Sequence, residues 1–164
     1  MVNGEWMMNE AIMRVEDMPV FQLFYSLALD VEKTSRGYPR DFGWLRGQKL
    51  RSSESVCANM TEGFYAQYST EYLQSLFRCR REARETQTHL RYATDVAILQ
   101  GNVSERLLAG YEDGVQQLNN VIGSIERKIA ARGKAKPAEY SLKEEGSEYA
   151  CAFPLNHSPS TINP

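Results

Sequence analysis

Apolar residues recur every three or four positions along four long stretches of the chain, which is the spacing that one face of an α-helix requires. The first stretch predicts a helix from Pro19 to about Ser35, because proline suits the first turn of a helix and Gly37 then ends it. The second stretch predicts a helix over about residues 42 to 67. It contains three glycines, which we expect to mark close contacts between helices.

The third stretch predicts a helix that starts at Ser69 and runs to about residue 100, where Gly101 ends it. The fourth predicts a helix that Ser104 caps and that continues to Gly133. No stretch shows the alternation of apolar and polar residues that a half-buried strand requires. Four long helices joined by short turns predict an all-α protein with an antiparallel up-down-up-down four-helix bundle.

The sequence outside this bundle divides into two short segments. Residues 1–16 form an N-terminal arm rich in Trp and Met, which is predicted to be a short helix or an arm that packs on a neighbour. Residues 17–133 form the bundle, and residues 134–164 form an acidic, proline-containing tail that is flexible or docked on a partner. An apolar island at residues 149–155 of the tail could dock on the bundle, dock on a partner, or stay disordered.

A strip of polar side chains follows the apolar face of the second predicted helix and comprises Arg51, Ser55, Asn59 and Glu62. A buried polar group without a partner costs about 1–3 kcal/mol. We therefore expect these four side chains to hydrogen-bond one another in a structural network that fixes the register of the helix. The alternatives are a ligand or nucleic-acid site and a catalytic site.

Charge and cysteine content narrow the class of protein. The net charge is −2, and residues 14–134 carry 17 Lys and Arg against 15 Asp and Glu, far from the strongly basic balance of a dedicated nucleic-acid-binding protein. Cys57, Cys79 and Cys151 are too far apart for a disulfide framework or a metal site, which suits a reducing cytoplasm. No apolar run is long enough to span a membrane, and no secretory signal is expected.

One concentration of positive charge stands out, on the third predicted helix, and consists of Arg78, Arg80, Arg81, Arg84 and Arg91. Such a surface can bind nucleic-acid phosphates without reading the base sequence. The alternative is an exposed face whose arginines form ion pairs within the helix, for example with Glu82 and Glu85.

Catalysis finds little support in the sequence. A carboxylate di-metal site in a bundle needs two Glu-x-x-His pairs, and His89 is the only histidine of the predicted bundle. Cys57 and Cys79 lack a plausible His and Asp arrangement. We predict that the protein is not an enzyme and has no catalytic residue, no metal ligand and no cofactor.

Several short runs resemble a known family. They are Val15-Glu16-Asp17-Met18, Tyr38-Pro39, Phe42-Gly43, Gln48-Lys49-Leu50-Arg51, Ala58-Asn59-Met60-Thr61-Glu62-Gly63-Phe64, Ser69-x-Glu71-Tyr72 and Glu85-Thr86-Gln87-Thr88-His89-Leu90. Over residues 15–130 the chain resembles the four-helix bundle proteins encoded in intervening sequences of bacterial 23S ribosomal RNA genes. The run from Ala58 to Phe64 is the most specific part.

The resemblance also carries expectations about function. The same fold is used by the accessory variability determinant of diversity-generating retroelements, a pentameric barrel that works with a reverse transcriptase and nucleic acid. The resemblance therefore implies a ring-forming homo-oligomer, with the pentamer as the candidate ring. We predict a cytoplasmic, non-enzymatic helical scaffold. Its arginines are expected to bind RNA or an enzyme similar to a reverse transcriptase. The alternative is a protein–protein interaction module, using the arm or the tail, with no nucleic-acid role.

Overall fold

The computed structural model describes residues 12–135, which form four α-helices and two single-turn 3-10 helices and contain no β-strand. The α-helices are α1 (Pro19–Ser35), α2 (Gly43–Phe64), α3 (Ser69–Asp95) and α4 (Gly101–Ala135), and the 3-10 turns are Val15–Asp17 and Arg40–Phe42. The all-α prediction is confirmed for this part of the chain. The predictions for residues 1–11 of the arm and for residues 136–164 of the tail lie outside the described residues.

The boundary between α3 and α4 differs from the prediction. Ala97 has a positive φ of 59°, and the amides of Ile98 and Leu99 both donate to the carbonyl oxygen of Ala93, at 3.0 and 3.1 Å. This left-handed residue ends α3 earlier than expected. Gly101 does not end α3; it begins α4.

The four helices enclose one apolar core. α1 and α3 each pack against both α2 and α4. Among the fully buried side chains of the core are Phe24, Leu45, Met60, Leu76, Leu107 and Tyr111, so every helix contributes. Each such side chain stabilises the fold by about 1.5–3 kcal/mol through removal from water. Within the described residues, no helix is both long enough and apolar enough to cross a membrane.

Glycine allows two close helix contacts. A Cβ atom at Gly63 of α2 would lie 2.5 Å from the Cβ atom of Ser75 in α3, which is too close for any other residue. Two glycines of α4 allow a similar close contact with α1. Leu27 packs against Gly110, and Phe24 packs against Gly114. The expected close approach at the glycines of α2 is confirmed at Gly63. It is wrong at Gly43 and Gly47, where an added Cβ would meet no atom within 4 Å.

Candidate nucleic-acid interface

The arginines of α3 divide into two groups. Residues 80, 84 and 91 share one side of the helix, because a turn of 3.6 residues brings positions four and seven apart together. This side faces α4. Arg84 donates through Nη2 to Oε1 of Glu112 at 3.1 Å and through Nη1 to Oε1 of Gln87 at 2.9 Å. The hydrogen bonds from Arg84, and to a lesser extent from Gln87, lower the pKa of the Glu112 carboxyl. Arg84 is therefore engaged in an ion pair between helices.

Arg80 and Arg91 lie on either side of that ion pair, and neither forms an ion pair of its own with a described residue, although the charge of Arg91 adds to the lowering of the Glu112 pKa. Arg80 donates to the amide oxygen of Asn119 at 3.1 Å, and its guanidinium lies 5.2 Å from the centre of the Phe77 ring. Arg91 is exposed and makes no ion pair or side-chain hydrogen bond with any residue of the described part. Neither arginine meets a carboxylate partner there.

The second group lies away from α4 and consists of Arg78 and Arg81. Arg78 pairs with Glu62 of α2 at 3.9 Å between Nη1 and Oε1, which is a long contact between exposed groups. Arg81 points outward with 73% of its side chain exposed, and its Nη2 lies 3.5 Å from Oε1 of the neighbouring, nearly buried Glu82. The five arginines thus extend from the α4 side of α3 to its α2 side and do not form a single row.

The polar strip of α2 does not form the expected network. Asn59 donates to the backbone carbonyl oxygen of Ser55 at 2.7 Å, a local contact within the helix. Arg51 donates to Oε1 of Glu85 in α3 at 2.8 Å, and Glu62 pairs with Arg78. No side chain of the four bonds to the side chain of another, because the strip lies on the outer edge of α2 and its ends reach across to α3.

Both ends of the polar strip of α2 contact α3. Arg51 pairs with Glu85 at one end of the strip and Glu62 pairs with Arg78 at the other, so the strip adjoins the α2 side of α3. Of the five arginines, Arg78 therefore lies beside the strip, whereas Arg80 and Arg84 contact α4 on the other side of α3.

The buried polar side chains of α2 lie on its inner side. Thr86 of α3 donates to the hydroxyl of Ser52 at 2.8 Å, and both side chains are fully buried. Lys49 is also fully buried; its Nζ donates to the hydroxyl of Tyr38 and lies 4.3 Å from the centre of the Tyr38 ring. Burial, and secondarily the charge of Arg46, lowers the pKa of Lys49 to about 8. The sequence analysis missed this cluster, although Lys49 and Ser52 fall at helical spacing with the apolar Leu45 and Val56.

The described residues offer little to a nucleophilic mechanism. Burial raises the pKa of both the Cys57 and the Cys79 thiols to about 12, so both stay protonated at neutral pH. The Cys79 thiol donates to the carbonyl oxygen of Val56 at 3.3 Å. Between residues 12 and 135, no three His, Cys, Asp or Glu side chains lie close enough together to hold a metal ion.

Comparison with known proteins identifies the family. The profile of the 23S rRNA-intervening sequence protein family matches residues 16–120. The chain belongs to this family. The resemblance inferred from the short sequence runs is thus confirmed. The matched range contains α1, α2, α3 and all five of the α3 arginines, whereas the last 15 residues of α4 lie beyond it.

A solved structure agrees with the fold. The crystal structure of a protein of unknown function from the S23 ribosomal protein family of Bacteroides thetaiotaomicron is 20% identical to this chain. The likeness covers 63% of this chain and 97% of the other, with a TM-score of 0.56. At this identity the likeness shows the fold and nothing about activity. No curated protein matches the chain.

Proposed function

We propose that this protein is a non-enzymatic helical scaffold that binds RNA through phosphate contacts on the outer surface of α3. The observation that carries the proposal is the state of Arg80 and Arg91. Both are exposed, both lie on one side of α3 about 16 Å apart along its axis, and neither has a carboxylate partner among residues 12–135. Exposed guanidinium groups without a carboxylate partner are suited to phosphate oxygens, which they bind with two parallel hydrogen bonds.

The other arginines of α3 are ion-paired and differ in how easily they could bind a phosphate. Arg81 is the most exposed of the ion-paired arginines on α3, and its contact with Glu82 is long enough to exchange for a phosphate. Arg84 already donates hydrogen bonds to Glu112 and Gln87, so it is less available to a phosphate than Arg80 or Arg91. Arg78 contacts Glu62 at 3.9 Å, a still longer contact between exposed groups, so it too can exchange its partner for a phosphate.

The salt dependence of binding tests the role of the arginines. The affinity for a generic single-stranded RNA is measured by fluorescence anisotropy over a series of KCl concentrations. Changing Arg80, Arg81 and Arg91 together to glutamine should lower the slope of log K against log salt by about 2, since each phosphate contact on a single strand contributes about 0.7.

A second triple variant provides the matched control. Changing Arg36, Arg46 and Arg106 to glutamine removes the same total charge, but these arginines pair with Glu32 and Asp30 of α1, away from α3. The control should keep the wild-type slope. If RNA does not bind at low salt, or if the two triple variants weaken binding equally, the proposed surface is not the binding site.

We further propose an antiparallel up-down-up-down order for the four helices. Contacts between consecutive helices support it, because the end of α2 meets the start of α3 at Gly63 and Ser75, while the middle of α2 meets the later half of α3 at Arg51 and Glu85. Two helices that run in opposite directions produce this order of contacts.

The resemblance to the retroelement accessory protein supports assembly into a homo-oligomeric ring, for which we propose five subunits, and a reverse-transcriptase-like partner in the cytoplasm. Light scattering coupled to gel filtration tests the ring. A mass near 18.7 kDa at micromolar concentration would show a monomer and remove this part of the proposal.

A protein–protein interaction module without a nucleic-acid role is the second candidate. It is favoured by the outer face of α1, where Tyr25 and Leu29 are 53% and 48% exposed. Large exposed apolar side chains that lie together usually mark an interaction surface. A folded protein that binds no RNA at any salt concentration would favour this candidate.

A further inference from the structure

Two large aromatic side chains meet on the surface where α2 begins and α3 ends, and we call them the Trp44–Tyr92 pair. Trp44 is 55% exposed and Tyr92 is 44% exposed. Their ring centres lie 5.8 Å apart, with the ring planes tilted by 60°. Among the aromatic pairs of residues 12–135, this is the one in which both members are exposed. Because the rings do not lie flat on each other, ring surface stays open to a planar ligand.

Arginines without an ion pair lie beside both aromatic residues in the chain. Arg91 directly precedes Tyr92, so their Cα atoms are about 3.8 Å apart. Arg40 lies four residues before Trp44, in the 3-10 turn that leads into α2, and it is exposed. Neither arginine forms an ion pair or a side-chain hydrogen bond within the described part of the chain. This end of the bundle therefore combines open aromatic surface with guanidinium groups that are available to an anion.

The surface around the aromatic pair is polar. Gln48 and Thr88, one helical turn from the two rings, are exposed. Asp41 and Asp95 are also exposed, but neither carboxylate takes part in an ion pair between described residues. A protein interface is usually marked by a wider apolar patch. Two rings in polar surroundings suit a single planar group better than the apolar face of a protein.

A nucleotide of RNA has both properties that this surface selects. Its base is planar and stacks on aromatic side chains whatever its identity, and its phosphates bind arginine. Only an unpaired base can offer its face to a protein, because the bases of a duplex are stacked on their neighbours. Aromatic side chains at this position therefore favour single-stranded RNA over a duplex, a distinction that phosphate contacts alone do not make.

We propose that the Trp44–Tyr92 pair is a stacking site for an unpaired base of RNA and that Arg40 and Arg91 bind the phosphates next to that base. This site rests on the proposed function, RNA binding along α3, and adds to it the class of RNA: single strands and unpaired loops. At the end of α3 the strand passes from the α4 side toward α2, a rotation of about 100° between Arg91 and Tyr92.

Fluorescence of Trp44 tests the stacking directly. In the full chain with Trp6→Phe, Trp44 is the only tryptophan. Stacking of a base on the indole ring quenches its emission, so single-stranded oligouridine at low salt should quench Trp44. An RNA duplex of the same length carries more phosphates but offers no free base face, and it should leave the emission nearly unchanged.

Affinities of variants for oligouridine test the same site. Trp44→Leu and Tyr92→Leu should each weaken binding about tenfold, and the slope of log K against log salt should stay the same because stacking involves no ion. Trp44→Phe keeps an aromatic ring and should retain most of the affinity. Tyr68→Leu is the matched control and should bind like the wild type, because Tyr68 is 57% exposed but lies at the opposite end of α2 and α3.

The arginines of the site are tested by the salt slope. Arg40→Gln should lower the slope by about 0.7, the contribution of one phosphate contact on a single strand. An unchanged slope would remove Arg40 from the site.

The outcomes separate this site from the proposed function. RNA binding that depends on the α3 arginines, but is equal for single strands and duplexes or unchanged in Trp44→Leu and Tyr92→Leu, would overturn the stacking site and leave the proposed function intact. Absence of RNA binding at low salt would overturn both. Trp44 emission that shifts with protein concentration in the absence of RNA would assign the pair to a contact between protein molecules. Circular dichroism confirms that each variant keeps its helices.

Discussion

The fully buried Lys49 provides the sharpest test of the core. The only hydrogen-bond partner of its ammonium is the hydroxyl of Tyr38, and no carboxylate pairs with it in the described chain. Burial lowers the pKa of Lys49 from 10.5 to about 8. Since one pKa unit corresponds to about 1.4 kcal/mol, keeping this amine charged in the folded state costs about 3 kcal/mol near neutral pH.

Lys49→Met removes this cost and nearly preserves the volume of the side chain. The variant loses the hydrogen bond to Tyr38, which contributes about 1–2 kcal/mol when one partner is charged. We therefore expect Lys49→Met to be about 1–2 kcal/mol more stable than the wild type at pH 7.5, as found for other buried charges replaced by apolar side chains.

The change with pH in the stability difference between Lys49→Met and the wild type is a more specific test than the size of that difference. Below pH 8, Lys49 is charged in both states, and the folded state bears the full cost. Between pH 8 and 10.5 the unfolded chain keeps the proton and the folded chain does not, so the stability of the wild type rises with pH relative to the variant. The advantage of Lys49→Met should shrink by about 2 kcal/mol between pH 7.5 and 9.5.

Urea unfolding followed by circular dichroism at several pH values measures the difference. The buried thiols of Cys57 and Cys79, whose pKa values are raised to about 12, destabilise both proteins as the pH rises, and their contribution cancels in the comparison. Lys33→Met is the control, because the side chain of Lys33 is exposed. A difference between Lys49→Met and the wild type that stays constant from pH 7.5 to 9.5 would refute the reasoning, because Lys49 would then keep its ordinary pKa.

Three further predictions concern α2 and its contacts. Gly63→Ala should destabilise the protein by about 2 kcal/mol because of overpacking, while Gly47→Ala, in open space, should stabilise it by roughly 0.5–1 kcal/mol; thermal melting distinguishes them. Thr86→Val should cost about 1 kcal/mol, because Ser52 loses the donor from Thr86 but keeps its own bond to the carbonyl oxygen of Lys49, and a double-mutant cycle with Ser52→Ala in urea should show that the two losses are not additive. Asn59→Leu should change the unfolding midpoint little, since Asn59 bonds only within its own helix; a large drop would restore the idea of a polar network there.

The sequence predicted the helices well where local residues decide their ends. The first helix begins at Pro19, whose fixed φ suits the first turn, and ends at Ser35, two residues before Gly37, so the prediction matches α1. The end of α3 could not be predicted in this way. Ala97 takes a left-handed conformation that alanine rarely adopts, and only its surroundings in the fold can favour it.

The candidate site was predicted as a set of residues but not as an arrangement. The sequence placed the α3 arginines on a surface, and the structure shows which of them meet carboxylates of other helices, as Arg84 does with Glu112. The sequence also predicted a polar network on α2, but that prediction placed the wrong side of the helix toward the core. Polar and apolar residues alternate so closely in α2 that its buried side was ambiguous, and Lys49 and Ser52 turned out to lie inside, not Ser55 and Glu62.

The two glycines of α4 that receive Phe24 and Leu27 have a consequence for the outside of α1. They let the inner side of α1 lie deep against α4, so the backbone that carries Tyr25 and Leu29 is already held in place. Anything that binds those two side chains meets a pre-organised surface, and the loss of conformational entropy on binding falls almost entirely on the incoming chain. Substitutions at Tyr25 and Leu29 should therefore alter this surface without disturbing how α1 packs on α4.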